Sequence, residues 1–466
     1  MTERSDFNVV WIMTDEQRAD ALGCYGSAWA RSPHIDRLAQ TGVRFAHAYT
    51  PSPLCVPART IMLTGQRPQR HGVWSNAELG TALESNLIER FRDAGYATAS
   101  FGKSHYSCYQ QSPFFEVERE HLYSAAVQPE GYCKGYAEAD YGAVKYPSPY
   151  TSWILAGRFP EAAEQTSEWQ ATSDALQWLR QRRRGADNPR PFLLRVSYNG
   201  PHTPVTPVAE FLDLIDPELI DIPDGELWDR SAWPVWYARY IHEYQRSDRL
   251  SRGQIRTIRH HYYAQCAFVD SQVGRLMRYL QESGLAQTTI VAFCSDHGTH
   301  LGDYGLVQKQ TFFEPVVRVP LIVSVPGLRH TTVNAGCTLQ TPVSIARLVP
   351  TLLSLCGLNS DCDYAPLSVA LQRGSEPPAE AVVSEYTLGS IARWGLECPD
   401  RLRMVREGPW KLCYSLDNRA AGLLYNLQQD PLEQRNRFDE PECSEVIDAL
   451  MHAGRAADDI KRGWRE

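Results

Sequence analysis

The stretch of this chain best equipped for covalent chemistry is Cys55-Val56-Pro57-Ala58-Arg59, running on into Thr60-Ile61-Met62-Leu63-Thr64-Gly65. Proline at the first helical position costs nothing, because its missing N–H would be unpaired there in any case. The pentapeptide therefore predicts a helix start with Cys55 just ahead of it, exposed at the end where backbone N–H groups attract anions. Arg59, one turn further in, adds a fixed positive charge beside the sulfur. Four other places carry side chains able to bind a metal, move a proton or hold an anion: Thr14-Asp15-Glu16, Gly102-Lys103-Ser104-His105, Asn199-Gly200-Pro201-His202 and Ser295-Asp296-His297-Gly298.

Each of those four closes a short β-rich run: Asn8–Met13, Ala97–Phe101, Phe192–Tyr198 and Thr289–Cys294. Nearly continuous apolar runs suit strands buried on both faces, as in a parallel sheet. Open α/β sheets bind ligands just beyond the carboxyl ends of their strands, so the clusters are expected to meet at one edge of a single sheet. Helices are legible between the strands. Leu83, Leu87, Ile88 and Phe91 make one apolar face ended by Gly95, and Tyr262, Cys266, Val269, Val273, Leu276 and Leu280 make another stopped by Gly284. Thr341-Pro342 predicts the start of a third, through Leu348, Leu352 and Leu355 to Gly357. Alternation of this kind predicts a doubly wound α/β sheet with helices on both faces. The Pro/Gly/Ser/Glu-rich stretch 372–378 reads as a linker.

With these residues in view, the chain resembles the type I, formylglycine-dependent sulfatases of the alkaline phosphatase superfamily. Ser32-Pro33-His34-Ile35-Asp36-Arg37-Leu38-Ala39 and Gly42-Val43-Arg44-Phe45 resemble the segment before that family's modified cysteine. Val269-Asp270 through Gly274, Ser295–Gly298, Lys309 and Arg318-Val319-Pro320-Leu321-Ile322 follow the family order. Trp410-Lys411-Leu412, Leu424–Leu427 and Asp430-Pro431-Leu432-Glu433 resemble its C-terminal module. The resemblance implies a large mixed, mostly parallel sheet sandwiched by helices, with a small C-terminal antiparallel-sheet α+β subdomain. It divides the chain into a catalytic domain, 1–375, and a subdomain, 376–466, with poorly matched insertions at about 106–165 and 213–255.

The chemistry that the resemblance implies is sulfate monoester hydrolysis. In the family the pentapeptide cysteine is oxidised to formylglycine, here at Cys55, and the aldehyde hydrates to a diol. One hydroxyl, deprotonated with help from Asp296 and a metal, attacks sulfur; the other loses its proton to His105, sulfate leaves and the aldehyde is restored. Asp15, Glu16, Asp296, His297 and an oxygen on residue 55 are the implied ligands of one divalent cation. A mostly oxygen set suits calcium, with magnesium next, while the imidazole brings in manganese. The family commonly has a second Asp where Glu16 stands. Arg59 and Lys103 are expected on the diol and metal side, Lys309 on a sulfate oxygen, and His202 opposite the metal as the acid for the leaving alcohol. Asn76 is a further candidate for touching the bound anion. His260, His261, His300 and His330 are read as structural or solvated, and Asp20 and Asp36 as turn or capping residues.

Composition fits a large enzyme: 466 residues exceed what one core needs. Forty-seven Lys plus Arg against 55 Asp plus Glu give a formal charge of −8, which makes no electrostatic case for nucleic acid or an anionic membrane. An anionic ester must then be captured by local positive charge. No apolar export segment precedes the first strand and no run approaches membrane-spanning length, so a cytoplasmic enzyme with reduced thiols among its 12 cysteines is expected. Expected partners are a small-molecule or glycan sulfate ester and the formylglycine-generating machinery, and a homo-oligomer is left open. Eight tyrosines between Tyr106 and Tyr150 offer a wall for a sugar or aryl group, or the core of an irregular loop. Two alternatives stay within the superfamily: a phosphonate monoester or phosphodiester hydrolase, and a metal-dependent phosphatase in which the cysteine is only structural. A third, from another class, is an inactive relative used for binding.

Overall fold

The computed structural model describes residues 7–108, 112–121, 144–145, 154–184, 190–224, 233–234, 247–327, 336–387, 401–417, 419 and 421–456. Its main sheet has eight strands: β1 (Asn8–Thr14), β2 (Val43–Phe45), β3 (Ala97–Gly102), β4 (Val117–Arg119), β5 (Phe192–Ser197), β6 (Thr289–Ser295), β7 (Leu321–Ser324) and β8 (Cys337–Leu339). They lie in the order β8-β2-β7-β6-β1-β5-β3-β4. The four runs expected to be strands are therefore neighbours, β6-β1-β5-β3, and all run parallel. Their carboxyl ends share one edge. Only β7 runs the other way, pairing antiparallel with β6 on one side and β2 on the other.

β1 shows why such a run must be apolar throughout. Val9, Trp11 and Met13 enter a core shared with helices α2 (Cys55–Thr64), α3 (Ile88–Asp93) and α6 (Leu348–Leu355), whereas Val10 and Ile12 enter the opposite core. That second core is closed by α1 (Pro33–Thr41), α4 (Ser167–Arg184) and α5 (Arg252–Glu282). Each large apolar side chain so buried stabilises the fold by about 1.5–3 kcal/mol. Two family-like segments explain each other here. Asp270 of α5 accepts the backbone N–H of Ile35 (2.8 Å) and of His34 (3.1 Å), capping α1 across the interface. A Cβ on Gly274 would meet the His34 ring at 2.5 Å, so glycine permits that crossing.

Several expectations are corrected. Cys55 is the first residue of α2, not the residue ahead of it, Pro57 is the third, and Cys55 is buried instead of exposed. Leu83 precedes α3, which begins only at Ile88. The helix expected from Thr341 starts later, because Val343–Ser344 pairs as a short strand with Ala48–Tyr49 and draws that segment into extended form. The stretch 372–378 begins inside a helical turn, Ser368–Arg373. Ten cysteines are described and all are free thiols. Of the tyrosines from Tyr106 to Tyr150 only Tyr106 is described; it is buried, stacked on Phe114. His330 also lies outside the described residues.

Toward the C-terminus, β9 (Val382–Tyr386), β10 (Leu402–Glu407), β11 (Trp410–Ser415) and β12 (Gly422–Asn426) form an antiparallel sheet in chain order. One face takes helix α7 (Ser444–Ala456) through Leu450 and Met451. The other, with Tyr386, Met404 and Tyr425, packs on Tyr49, Leu54 and Phe313. This sheet therefore braces the approach to Cys55: Glu385 N–H donates to Pro51 O (2.9 Å) and Tyr386 Oη to Gln310 O (2.5 Å). Lys411, fully buried, bridges Glu433 and Glu314 (2.9 Å to the latter). Among the described residues no helix is long and apolar enough to cross a membrane.

Candidate active site

At the shared strand edge, β1 delivers Asp15 and Glu16, β3 delivers Lys103 and His105, β5 delivers His202, and β6 delivers Asp296 and His297. Helix α2 points its first residue into the same place. The Cys55 sulfur lies 3.1 Å from His297 Nε2, 3.1 Å from Lys309 Nζ and 3.7 Å from Asp15 Oδ1, and it is hydrogen-bonded by His105. Burial alone would push the thiol up, but Lys309, Lys103 and His297 outweigh it and hold Cys55 well below its ordinary value. These neighbours favour the thiolate over the thiol.

Arg59 sits one turn below and does not reach the sulfur. Its Nε donates to Asp296 Oδ2 (2.8 Å), Nη2 to Asp15 Oδ2 (3.0 Å), and Nη1 to Lys103 O and Ser197 Oγ (both 2.9 Å). All three charged groups are fully buried. Lys103 Nζ adds a 2.6 Å pair to Asp15 Oδ2. Burial and the sulfur push the Asp15 carboxyl up, but Lys103, His202 and Arg59 overcome them and hold it well below the usual range. Asp296 goes the other way, raised by burial and then by the charge on Asp15.

One ligand atom each from Asp15, Cys55, Asp296 and His297 lie within 4.8 Å of one another, all buried. Two carboxylates and an imidazole fit a divalent cation. The backbone helps: His297 Nδ1 bonds Gly298 O (2.9 Å), which turns Nε2 toward the cluster. Burial lowers the His297 pKa, but Asp296 and Cys55 raise it to about 9, so a cation that took this site would displace a proton. Glu16, the other expected ligand, falls in a second buried group, in which one ligand atom each from Asp15, Glu16 and His202 lie within 4.8 Å of one another. In a left-handed conformation (φ 63°) it meets Lys309 Nζ at 2.5 Å and His202 Nε2 at 3.3 Å, and Thr203 Oγ1 donates to its other oxygen (3.4 Å). His202 therefore stands beside this carboxylate, with Lys309 Nζ 2.9 Å from its Nε2, and not across the site from the acidic cluster as expected.

Burial lowers His105 to about 4, and its Nδ1 has no hydrogen-bond partner among the described residues. Asn76 Oδ1 accepts the N–H of Val56, the residue after Cys55 (3.0 Å), and so satisfies the first turn of α2. His260, His261 and His300 bond the 212–215 segment, Thr257 O and Thr311 Oγ1, as structural histidines. Asp20 pairs with Arg18 and Asp36 accepts Cys24 N–H. Sequence reasoning missed Ser197 and Thr203, which hold Arg59 and Glu16; a hydroxyl beside a strand end carries no signal of its own.

The family model described as Sulfatase matches residues 7–358. The chain belongs to the sulfatase family. Among relatives of this sulfatase, the choline-sulfatase of Rhizobium meliloti is 31% identical over 459 residues, covering 93% of this chain and 83% of that protein. The iduronate 2-sulfatase of Homo sapiens is 28% identical over 525 residues, covering 95% and 93%. The crystal structure of the phosphonate monoester hydrolase of Agrobacterium radiobacter superposes with a TM-score of 0.77, covering 97% of this chain and 95% of that one at 22% identity. That likeness carries the fold: a large mostly parallel sheet with a small antiparallel one at the C-terminus. The family match and the named relatives make this sulfatase a sulfuric ester hydrolase.

Proposed function

We propose that the chain hydrolyses sulfate monoesters at residue 55, after oxidation of the Cys55 thiol to formylglycine. The observation that carries this reading is the surroundings of the sulfur, with Lys309 Nζ and His297 Nε2 each at 3.1 Å and His105 bonded to the same atom. A nucleophile here meets positive charge from two sides, which is what an ester accumulating negative charge on its oxygens needs. Asp15, Asp296, His297 and an oxygen on residue 55 would hold one divalent cation, calcium first, with magnesium and manganese as alternatives. Such a cation supplies charge neutralisation and lowers the pKa of the attacking hydroxyl. Asp296, with its raised pKa, accepts the proton of that hydroxyl. Lys309 and Lys103 hold ester oxygens. His105, unprotonated at neutral pH, takes the second proton when sulfate is expelled. His202 Nε2 protonates the departing alcohol oxygen. Glu16, paired with Lys309, is suited to orienting Lys309 and His202. The division at residue 375 is proposed as the boundary between the catalytic domain and a bracing C-terminal subdomain.

The test has two parts. Peptide mass spectrometry on active protein should show the thiol-to-aldehyde loss at Cys55; an active protein with an intact thiol there removes the proposed nucleophile. Turnover of matched aryl sulfate, phosphate and phosphonate esters should favour sulfate, and the relatives' names add choline sulfate and a 2-sulfated iduronide to the panel. A preference for the phosphonate or a phosphodiester moves the chain to the neighbouring reaction class.

A further inference from the structure

The loop after β5 and the first turn of α4 enclose a small polar pocket that the chemistry at residue 55 does not use. Its walls include Glu168, Asn199, His202, Gln265 and Phe159, around a volume of about 20 Å³. That is room for one water or one small polar group. Asn199 and Gln265 are 5% and 6% exposed, and the side-chain amide oxygen of each has no hydrogen-bond partner among the described residues. Glu168 is 5% exposed as well; one of its oxygens accepts Gly200 N–H (2.8 Å), and it enters no ion pair among the described residues. Gly200 lets the walls close: a Cβ there would come within 2.7 Å of Gln265 Nε2 and 3.2 Å of Glu168 Oε1.

Buried acceptors are nearly always satisfied in folded proteins, and leaving them bare is costly. Two orphan amide oxygens and a carboxylate around one small cavity specify an occupant that donates hydrogen bonds. We propose that this pocket is a subsite for the alcohol half of the ester, selecting leaving groups that carry a donor, a hydroxyl or a protonated amine, within a few bonds of the ester oxygen. The inference rests on the reading of His202 as the acid: His202 is one wall of the pocket, so a group seated there lies beside the oxygen it protonates. A quaternary ammonium has no N–H to donate and does not fit this volume.

The experiment compares ethyl sulfate, 2-hydroxyethyl sulfate and 2-aminoethyl sulfate on the full-length enzyme carrying the converted residue 55. The donor-bearing esters should show kcat/KM at least about tenfold above ethyl sulfate, the size of one charge-assisted hydrogen bond. Gln265→Leu should shrink that ratio for both donor esters. Glu168→Gln, which keeps an acceptor for Gly200 N–H, should shrink it chiefly for the amine, and this separates the ammonium from the hydroxyl as occupant. Equal kcat/KM for all three esters, or ratios unmoved by both variants, overturns the subsite and leaves a pocket for one fixed water. Failure to turn over any sulfate ester sinks the proposed reaction instead. Ligand-observed NMR of ethanolamine and ethylene glycol against ethanol then still decides the pocket: binding lost in Gln265→Leu supports it, and no preference over ethanol refutes it.

Discussion

Arg59→Ala is the substitution whose cost can be worked most directly from the geometry. The guanidinium is fully buried and neutralises two equally buried carboxylates, Asp296 at 2.8 Å and Asp15 at 3.0 Å, while also satisfying Lys103 O and Ser197 Oγ. Removing one partner of a buried pair costs about 3–5 kcal/mol, mostly for the stranded charge. Lys103 remains on Asp15, so Asp296 carries most of the loss. Unfolding entropy of about 2.1 cal/mol/K per residue gives about 1 kcal/mol/K over 466 residues, so the metal-free protein should melt roughly 3–5 °C lower. Scanning fluorimetry with chelator measures this directly. Saturating calcium should recover about 2–3 kcal/mol, since a cation held at a hundred times its Kd stabilises by about that much and takes over the neutralising role. The pair Arg59→Met with Asp296→Asn should lose less than Arg59→Met alone, because no charge is then stranded. A chelated Arg59→Ala protein that melts within about 1 °C of the parent would refute the argument that these carboxylates depend on Arg59.

Three further outcomes are expected. Asp296→Asn should weaken divalent-cation binding in calorimetric titration and lower kcat together; a loss of activity with metal affinity unchanged separates Asp296 from the metal. His202→Ala should slow esters of poor leaving groups by about 10²–10⁴ and esters of acidic phenols far less, whereas His105→Ala should leave sulfate attached to residue 55; a uniform loss across the leaving-group series removes His202 from the acid role. Burial pushes Asp270 up to about 7 despite the N–H groups of His34 and Ile35 that lower it. The folded state then binds a proton that the unfolded chain releases near pH 3.8, so this carboxyl's contribution to stability falls as pH rises from about 4 to 7, by about 4 kcal/mol at most. Asp270→Asn should flatten that slope in denaturant titrations, and an unaltered slope places the pH dependence elsewhere.

The site was legible in the sequence largely because parallel strands announce themselves. β1, β3, β5 and β6 are apolar on both faces, and the polar residues that follow them have one place to go. The family resemblance added Lys309, which follows no long strand. What the sequence did not show arises from packing between distant segments. Thr341-Pro342 suggested a helix start, yet pairing of Val343–Ser344 with Ala48–Tyr49 overrode the local preference. Cys55 looked exposed at a helix end because nothing local shows that β9 to β12 cover the approach through Leu54. Glu16 was legible as the neighbour of Asp15, with which it shares a buried group that includes His202, but its 2.5 Å pair with Lys309 was not, because that contact joins residues 293 apart in the chain. Asn76 looked like an anion contact, and its oxygen is committed to Val56 N–H.

All ten residues of α2 are buried, Cys55 among them, so no modifying enzyme can grip this helix once the chain has folded. The proposed conversion of Cys55 then has to happen while residue 55 is still outside a finished structure, and the chain's own layout sets the interval. Asp296, His297 and Lys309, which close over the sulfur, leave the ribosome about 240 residues later, roughly 12–50 s at a synthesis rate of 5–20 residues per second. Maturation is thus a race with a clock written in sequence separation. A host that elongates slowly, or a linker inserted ahead of β6, lengthens the window and should raise the converted fraction. On the proposed reading, a chain that folds unconverted should stay unconverted until it unfolds, which refolding in the presence of the converting machinery tests.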